Sequence, residues 1–597
     1  MTTFSRAIIA LLILISGTAR LNTAEAKVIQ ILHTNDLHAA IRTAGAPADG
    51  EDEMGGWAQI KTIMDRLTLD AQKKGIETVR LDAGDFLEGT MFYFSDHGKN
   101  VMKAFQNIGY DAVALGNHDW LMGPQNMDIT FGENPFPFPI LSANTEISPW
   151  LKNLRKQITA TTQIVRDGIK IGIVGLSTDE MAYKWITKVD SYKNDMIIHD
   201  YRDTKDLNGT TDNGIGNQAA ENIRQDNDVV LALTHIGIDE DKKLAASSKN
   251  FDLIVGGHSH TFIDKPVYVA NQKGEQIPIV QTGVNGKYIG RITLDVEPGK
   301  KAKILSYELV PVPNTTAQDP KIAQVVVAAE KAVNDQYTPE KLNQVVGKST
   351  VNLVSGDGGK TAYSQFVVDA MREMTGADLA VDLGAFHGNG PQEKGDITYR
   401  KLMEMYPRKL NVEQNEGLYV YHARIPGWVL KLALKLTVKY GYDLSTSGID
   451  YTTYFLSDAD FAAEKQAVAG TWKEVMLSNE RLLAASINGR PIRTFEKYNL
   501  AVPEFFVRGA YAITFLSRLL IRHGRPTQYT IWDASADYLS EIGVLHDLDP
   551  PKGPATGSEK RKRPPSSGFM YANQLLDDLA KDIQSAPEFS SLKDDLK

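Results

Sequence analysis

The chain has 597 residues, 42% of them apolar and 23% charged, with a formal net charge of −9 and an isoelectric point near 5.8. That length accommodates two or three ordinary domains of globular composition. The acidic balance argues against a dedicated nucleic-acid binder; a small anionic substrate stays open, because a bound metal outweighs global charge locally. With no cysteine, disulfides, thiolate metal sites and a cysteine-linked lipid anchor are excluded.

In chain order, residues 1–26 read as a secretory signal. Arg6 precedes the apolar core "AIIALLILIS", and Ala24-Glu25-Ala26 supplies an A-x-A cleavage pattern. The core is short for a membrane span, and the alternative is an uncleaved anchor. The expected location is periplasmic or secreted, with no stable membrane insertion after cleavage.

From 27 to 310, apolar runs alternate with helical stretches. "KVIQILHTNDLHA", "TVRLDAGDF", "DAVALGNHD", "KIGIVGLST", "DVVLALTHIG" and "FDLIVGGHSH" each hold an apolar, β-rich run ending in Gly, Asn, Asp or His. Buried strands opening into loops give this pattern. It predicts a layered α/β domain with function at the strand ends. Residues 311–345 start with Pro and Thr and continue as one polar-faced helix, read as a linker. Residues 346–597 form a second domain with amphipathic helices such as "TAYSQFVVDAMREMTGA". Within it, 547–568 is a Pro/Lys/Arg-rich loop, read as solvated, and a last helix, "FMYANQLLDDLAKDIQ", follows.

Metal-ligand chemistry sits at five of the strand ends. Asp36 and His38 are two apart, which on an extended segment turns both to one side; His258 and His260 repeat the spacing. Asp85, Asn117 and His235 each follow another run. Carboxylate, imidazole and amide donors suit first-row divalent metals. Seven donors exceed one ion and fit two that share a carboxylate, an arrangement suited to phosphoryl displacement. Singly, each piece has a structural alternative: a D-x-H turn, or an Asn/Asp loop capping backbone amides. Their joint occurrence in order favours the metal site.

The series "HTNDLHA…GGW…DAGDFLEG…GNHD…SANT…LTHIG…GGHSH" resembles the calcineurin-like metallophosphoesterases. More narrowly it resembles the secreted bacterial 5'-nucleotidase, UDP-sugar hydrolase and 2',3'-cyclic phosphodiesterase group, over most of 28–295. "SQFVVDAMREMTGADLAV", "GDITYRKL", "SGIDY" and "YNLAVPEFF" extend the likeness into the second half. The resemblance implies a metallophosphoesterase sandwich joined by a helical linker to an α+β, 5'-nucleotidase-like substrate domain. It implies two divalent ions (Zn, Mn, Co or Fe), one held by Asp36, His38, Asp85 and His260, the other by Asp85, Asn117, His235 and His258. Asp85 would bridge, and Asn117 would ligate without adding negative charge.

The same resemblance gives His118 the substrate phosphate and the leaving-group proton. Relatives place a carboxylate three residues after that histidine. Here Leu121 stands there, so Asp119 is the expected replacement. In the second half, the relatives' arginine-bearing loop becomes "DLGAFHGNGP", with Arg408 and Arg508 as substitutes for the lost cation. Tyr451 and Phe505 match aromatics that sandwich a base; the alternative is that both rings are core. The implied function is hydrolysis of nucleotides or related phosphate esters by metal-bound hydroxide. Alternatives are the same chemistry on a cyclic, sugar-nucleotide or sulfur-oxyanion substrate, and a non-catalytic binding protein on the same scaffold. The intact ligand set weighs against the last.

Overall fold

The computed structural model describes residues 27–44, 53–120, 123–179, 195–202, 214–297, 300–354, 361–384, 387–388, 392–408, 417–440, 444–468, 480–507 and 524–547. The expected signal segment, the stretch beyond 547 with the final helix, Leu121 and Arg508 lie outside these residues.

Two sheets stack face to face in the first half. The first has seven strands, in the order Lys303–Pro311, Tyr288–Val296, Lys27–Thr34, Glu77–Asp82, Ala112–Ala114, Ile140–Leu141 and Ile158–Thr159. The second has six, in the order Val267–Ala270, Gln276–Val280, Leu253–Gly256, Val229–His235, Ile169–Ser177 and Thr161–Arg166. Strand alternation explains the stacking. Ile29, Ile31, Val79 and Leu81 of the first sheet meet Ile171, Ile173, Leu231 and Leu233 of the second in one buried cluster.

The opposite faces are covered by helices, Trp57–Gln72 and Lys99–Ile108 on one side and Ile215–Arg224 and Ile238–Ser247 on the other. Strands covered on both faces read as continuous apolar runs, as "VVLAL" does. Each fully buried Leu or Ile contributes about 1.5–3 kcal/mol. The central strands of both sheets run parallel, so their C-terminal ends open on one rim.

The helix Pro320–Tyr337 begins at Asp319, whose carboxylate accepts from the Lys321 and Ile322 amides, with Pro320 in the first turn. Beyond it a five-stranded sheet runs Leu444–Ser447, Leu379–Leu383, Lys497–Pro503, Tyr419–Pro426 and Gly524–Thr530. The helix Ala362–Thr375 packs on it, started by a capping box of Thr361 and Ser364. One apolar cluster passes from Trp57 and Phe105 through Ile322 and Val333 to Tyr363, Tyr406 and Trp532. The two halves therefore share buried apolar surface next to the rim. Among the described residues, no helix is long and apolar enough to cross a membrane.

Candidate metal centre

The rim gathers the candidate ligands from five loops. Asp36, His38 and His260 form one group, and Asp85, His235 and His258 a second. Within each, one donor atom per residue lies within 4.8 Å of the others. Asp85 Oδ2 is 3.0 Å from His235 Nε2 and 3.8 Å from His38 Nε2, so it faces both groups. The H-x-H pair is thus split between them.

The local geometry differs from the extended turn expected at the D-x-H spacing. Asp36, His38, Asp85, His258 and His260 have φ of 51°, 46°, 59°, 78° and 52°. Left-handed backbone at non-glycine residues is costly and persists only where the surroundings enforce it. Here the enforcement is visible. The Asp36 amide donates to Gly84 O at 2.9 Å and the His38 amide to Asp85 O at 2.8 Å. Asn35 Nδ2 donates to Asp36 Oδ2 at 2.6 Å. Gly116 and Gly257 permit the crowding: a Cβ on Gly116 would lie 2.2 Å from Asp85 N, and one on Gly257 2.8 Å from Ala83 O.

The imidazoles are oriented by their other nitrogens. His38 Nδ1 donates to Glu88 O at 2.8 Å, and His235 Nδ1 to Ala83 O at 2.7 Å. Each bond fixes the ring's orientation and turns Nε2 to the rim, as metal-ligating histidines require. His38 Nε2 stands 3.0 Å from His260 Nε2. Both side-chain polar atoms of Asn117 are buried without a hydrogen-bond partner, while His235 Nε2 faces the Asp85 carboxylate. Buried polar groups are ordinarily satisfied, so the unpartnered Asn117 amide suits a metal-ligand role.

Charge agrees. Burial pushes Asp36 and Asp85 up, but neighbouring imidazoles, His260 first at Asp36 and His235 at Asp85, override it and hold both below the carboxylate range. Burial lowers His38 to about 3. At His235 burial works downward and the Asp85 charge overrides it, raising the ring to about 10.

His118 opens a short 3-10 turn, His118–Trp120, and its amide donates to Asp85 Oδ1 at 2.7 Å. Its carboxylate partner is not Asp119. The oxygens of Asp119 accept instead from the backbone amides of Gly116 (2.7 Å), Phe86 (2.8 Å), Leu87 (3.0 Å) and Asp85 (3.2 Å). Asp119 thereby ties the Asp85 loop to the Asn117 loop. Burial, then the Asp85 charge, raises it to about 7.

Glu88 Oε2 is the carboxylate at His118 Nδ1. Sequence reasoning missed it, although it lies in "DFLEG" beside Asp85. Arg408, expected as a free cation for substrate, stands with Nη1 2.5 Å from the same Oε2 and 3.4 Å from His118 Nδ1. Burial works to raise Glu88, while Arg408 and His118 outweigh it and hold the carboxyl at about 2.

Of the expected aromatic pair, Tyr451 lies in the strand Ile449–Phe455 opposite Ala485, half-buried at the margin of the cluster around Val429, Leu430 and Ile449. Phe505 falls in the helix Glu504–Val507, and its side chain lies outside the described residues.

Residues 29–262 match the calcineurin-like phosphoesterases, and residues 345–518 match the 5'-nucleotidase C-terminal domain. The first half thus carries a calcineurin-like phosphoesterase region and the second a 5'-nucleotidase C-terminal region. It is 26% identical over 472 residues to the trifunctional nucleotide phosphoesterase protein YfkN of Bacillus subtilis, covering 71% of this chain and 29% of that one. It is 30% identical over 288 residues to the snake venom 5'-nucleotidase of Gloydius brevicauda, covering 45% of each. The chain thus spans about half or less of the length of these curated relatives. The solved 5'-nucleotidase precursor of Thermus thermophilus has the same fold, with a TM-score of 0.69 at 21% identity over 88% of this chain and 98% of that one. Calcineurin-like phosphoesterases use divalent metals, and the two donor groups with the unpartnered Asn117 amide suit such ions.

Proposed function

We propose that the chain is a dinuclear-metal hydrolase of phosphate esters, with nucleotides as its main substrate class. The observation that carries this reading is the convergence of two donor groups with Asp85 between them and imidazole Nε2 atoms turned to the rim. The nucleotide phosphoesterase and 5'-nucleotidase names of its relatives support the substrate class.

In this reading Asp36, His38 and His260 hold one ion, Asn117, His235 and His258 hold the other, and Asp85 is shared. When bound, the ions supply Lewis-acid stabilisation of phosphoryl oxygens and lower the pKa of water. Zn, Mn, Co or Fe suits these donors. Asn117 offers a neutral carbonyl, so it adds no negative charge against an anionic ester. His118, with Nδ1 engaged by Glu88, uses Nε2 to donate a hydrogen bond to the phosphoryl group and to pass a proton to the leaving oxygen. Residues 27–310 carry the chemistry, and 346–597 select the substrate, with Tyr451 and Phe505 stacking a base at about 1–3 kcal/mol per base. Export to the periplasm or beyond belongs to the same reading and is supported by the apolar core at 7–16.

The test is a substrate panel on the metal-loaded chain: 5'-nucleoside monophosphates, cyclic nucleotides, sugar nucleotides, simple phosphomonoesters and thiosulfate esters. Phosphate release led by nucleotides supports the proposal. Preference for a non-nucleotide ester moves the substrate class. Bound metals with no turnover on any member would make the chain a binding protein.

A further inference from the structure

The carboxylate on His118 and the cation on that carboxylate come from opposite halves of the chain. Glu88 belongs to the loop that carries Asp85. Arg408 follows the helix Tyr399–Met405 of the second half. The side chains are 5% and 6% exposed, and Arg408 Nη1 is 2.5 Å from Glu88 Oε2, the oxygen that also takes His118 Nδ1. The glutamate is held at both ends. Its own carbonyl accepts from His38 Nδ1 at 2.8 Å, and a Cβ on the next residue, Gly89, would lie 2.5 Å from His38 Cβ.

Arg408 is equally fixed. Its amide donates to Tyr406 O at 2.8 Å. The Tyr406 hydroxyl donates to the buried Asp382 at 3.1 Å, and Trp532 Nε1 donates to Tyr406 O at 2.9 Å.

We infer that Glu88 and Arg408 are positioning residues for His118: Glu88 orients the imidazole through Nδ1, and Arg408, from the second half of the chain, keeps Glu88 in that role. A buried carboxylate without a counter-ion is strongly unfavourable. Arg408 therefore does for Glu88 what water does for an exposed carboxylate. A charge-assisted, shared-oxygen geometry also fixes direction better than a neutral bond. The consequence is that the second half completes the catalytic set as well as meeting substrate. This inference rests on the phosphoesterase reading for its kinetic arm only.

The test uses the full, metal-loaded chain. Glu88→Gln, which is nearly isosteric, and Arg408→Met should each lower kcat by at least about 10–100-fold, the cost known for losing the partner that orients a metal-ligating histidine. KM and metal content should stay within about two-fold of the parent chain. Arg408→Lys should recover part of the loss. The double variant Glu88→Gln/Arg408→Met removes both charges, avoids a lone buried ion, and should be no slower than the worse single variant. In a His118→Ala background, either substitution should change kcat by less than about two-fold, because both act through that ring. If Arg408→Met raises KM or still slows turnover in that background, Arg408 acts on substrate directly and the inference is overturned.

A readout free of turnover is the downfield proton resonance of the His118 Nδ1–H. It should vanish in His118→Ala and shift upfield in Glu88→Gln and Arg408→Met. A resonance unchanged in Glu88→Gln overturns the inference even in an active enzyme. Shifts as expected in a chain inactive on every ester uphold the positioning and sink only the phosphoesterase reading.

Discussion

Arg408 Nη1 and Glu88 Oε2 stand 2.5 Å apart, buried, and separated by 320 residues of sequence. Arg42 makes superficially similar pairs with Glu330 (2.6 Å) and Glu404 (3.1 Å), but its side chain is 41% exposed. Exposure decides their relative worth, since solvent-screened pairs contribute about 0–1 kcal/mol. Arg42→Ala should therefore shift the denaturation midpoint little, and less still at high salt. Arg408→Met should cost clearly more, because it strands a buried carboxylate. Denaturant unfolding of both variants at two ionic strengths checks the contrast.

Asp119 accepts from four backbone amides of two ligand loops. Asp119→Ala should destabilise the fold by roughly 1–3 kcal/mol for each amide left unsatisfied. It should also weaken metal binding, since Asp85 and Asn117 lose their common tether. A stability and metal titration that both match the parent chain would refute this tether.

Asn117 has a buried amide with no partner. Asn117→Ala should leave the metal-free chain as stable as the parent or slightly more so, because an unsatisfied polar group is removed. Metal affinity should fall in the same variant. Thermal unfolding with and without a chelator reads both signs: a large loss of metal-free stability contradicts the ligand role.

Asp241 is fully buried, and its Oδ1 accepts from Thr234 Oγ1 at 2.6 Å. Burial raises its carboxyl to about 8. A carboxyl raised on folding costs stability where the unfolded chain is ionised and the native one is not. That cost is absent below about pH 4, grows as pH rises, and is complete above about 8. Asp241→Asn should thus gain stability relative to the parent as pH rises through this window, by an amount on the order of a few kcal/mol. A stability difference flat between pH 4 and 8 would contradict the assignment.

The layered α/β first half was legible because strands covered on both faces leave apolar runs, and parallel strands end together. "VVLALTH" shows both: five apolar residues, then the donor His235. How the donors converge was not legible. Asp36 and His38 meet through left-handed turns, which the loops around them enforce and which no two-residue spacing encodes. Adjacency misled at His118. In a 3-10 turn neighbouring side chains diverge by about 120°, so Asp119 points inward to amides while the ring faces Glu88. Glu88 itself is a lone acid in a loop, and its meaning appears only when folding brings Arg408 to it.

The most direct test of the account is a metal titration of the chelated chain, following phosphate release from a 5'-nucleoside monophosphate alongside bound metal per chain. The account predicts that turnover appears as two divalent ions bind, and that Asp85→Asn, which weakens the shared carboxylate, abolishes it. Two ions bound per chain with no phosphate released, or full turnover in Asp85→Asn, would contradict it.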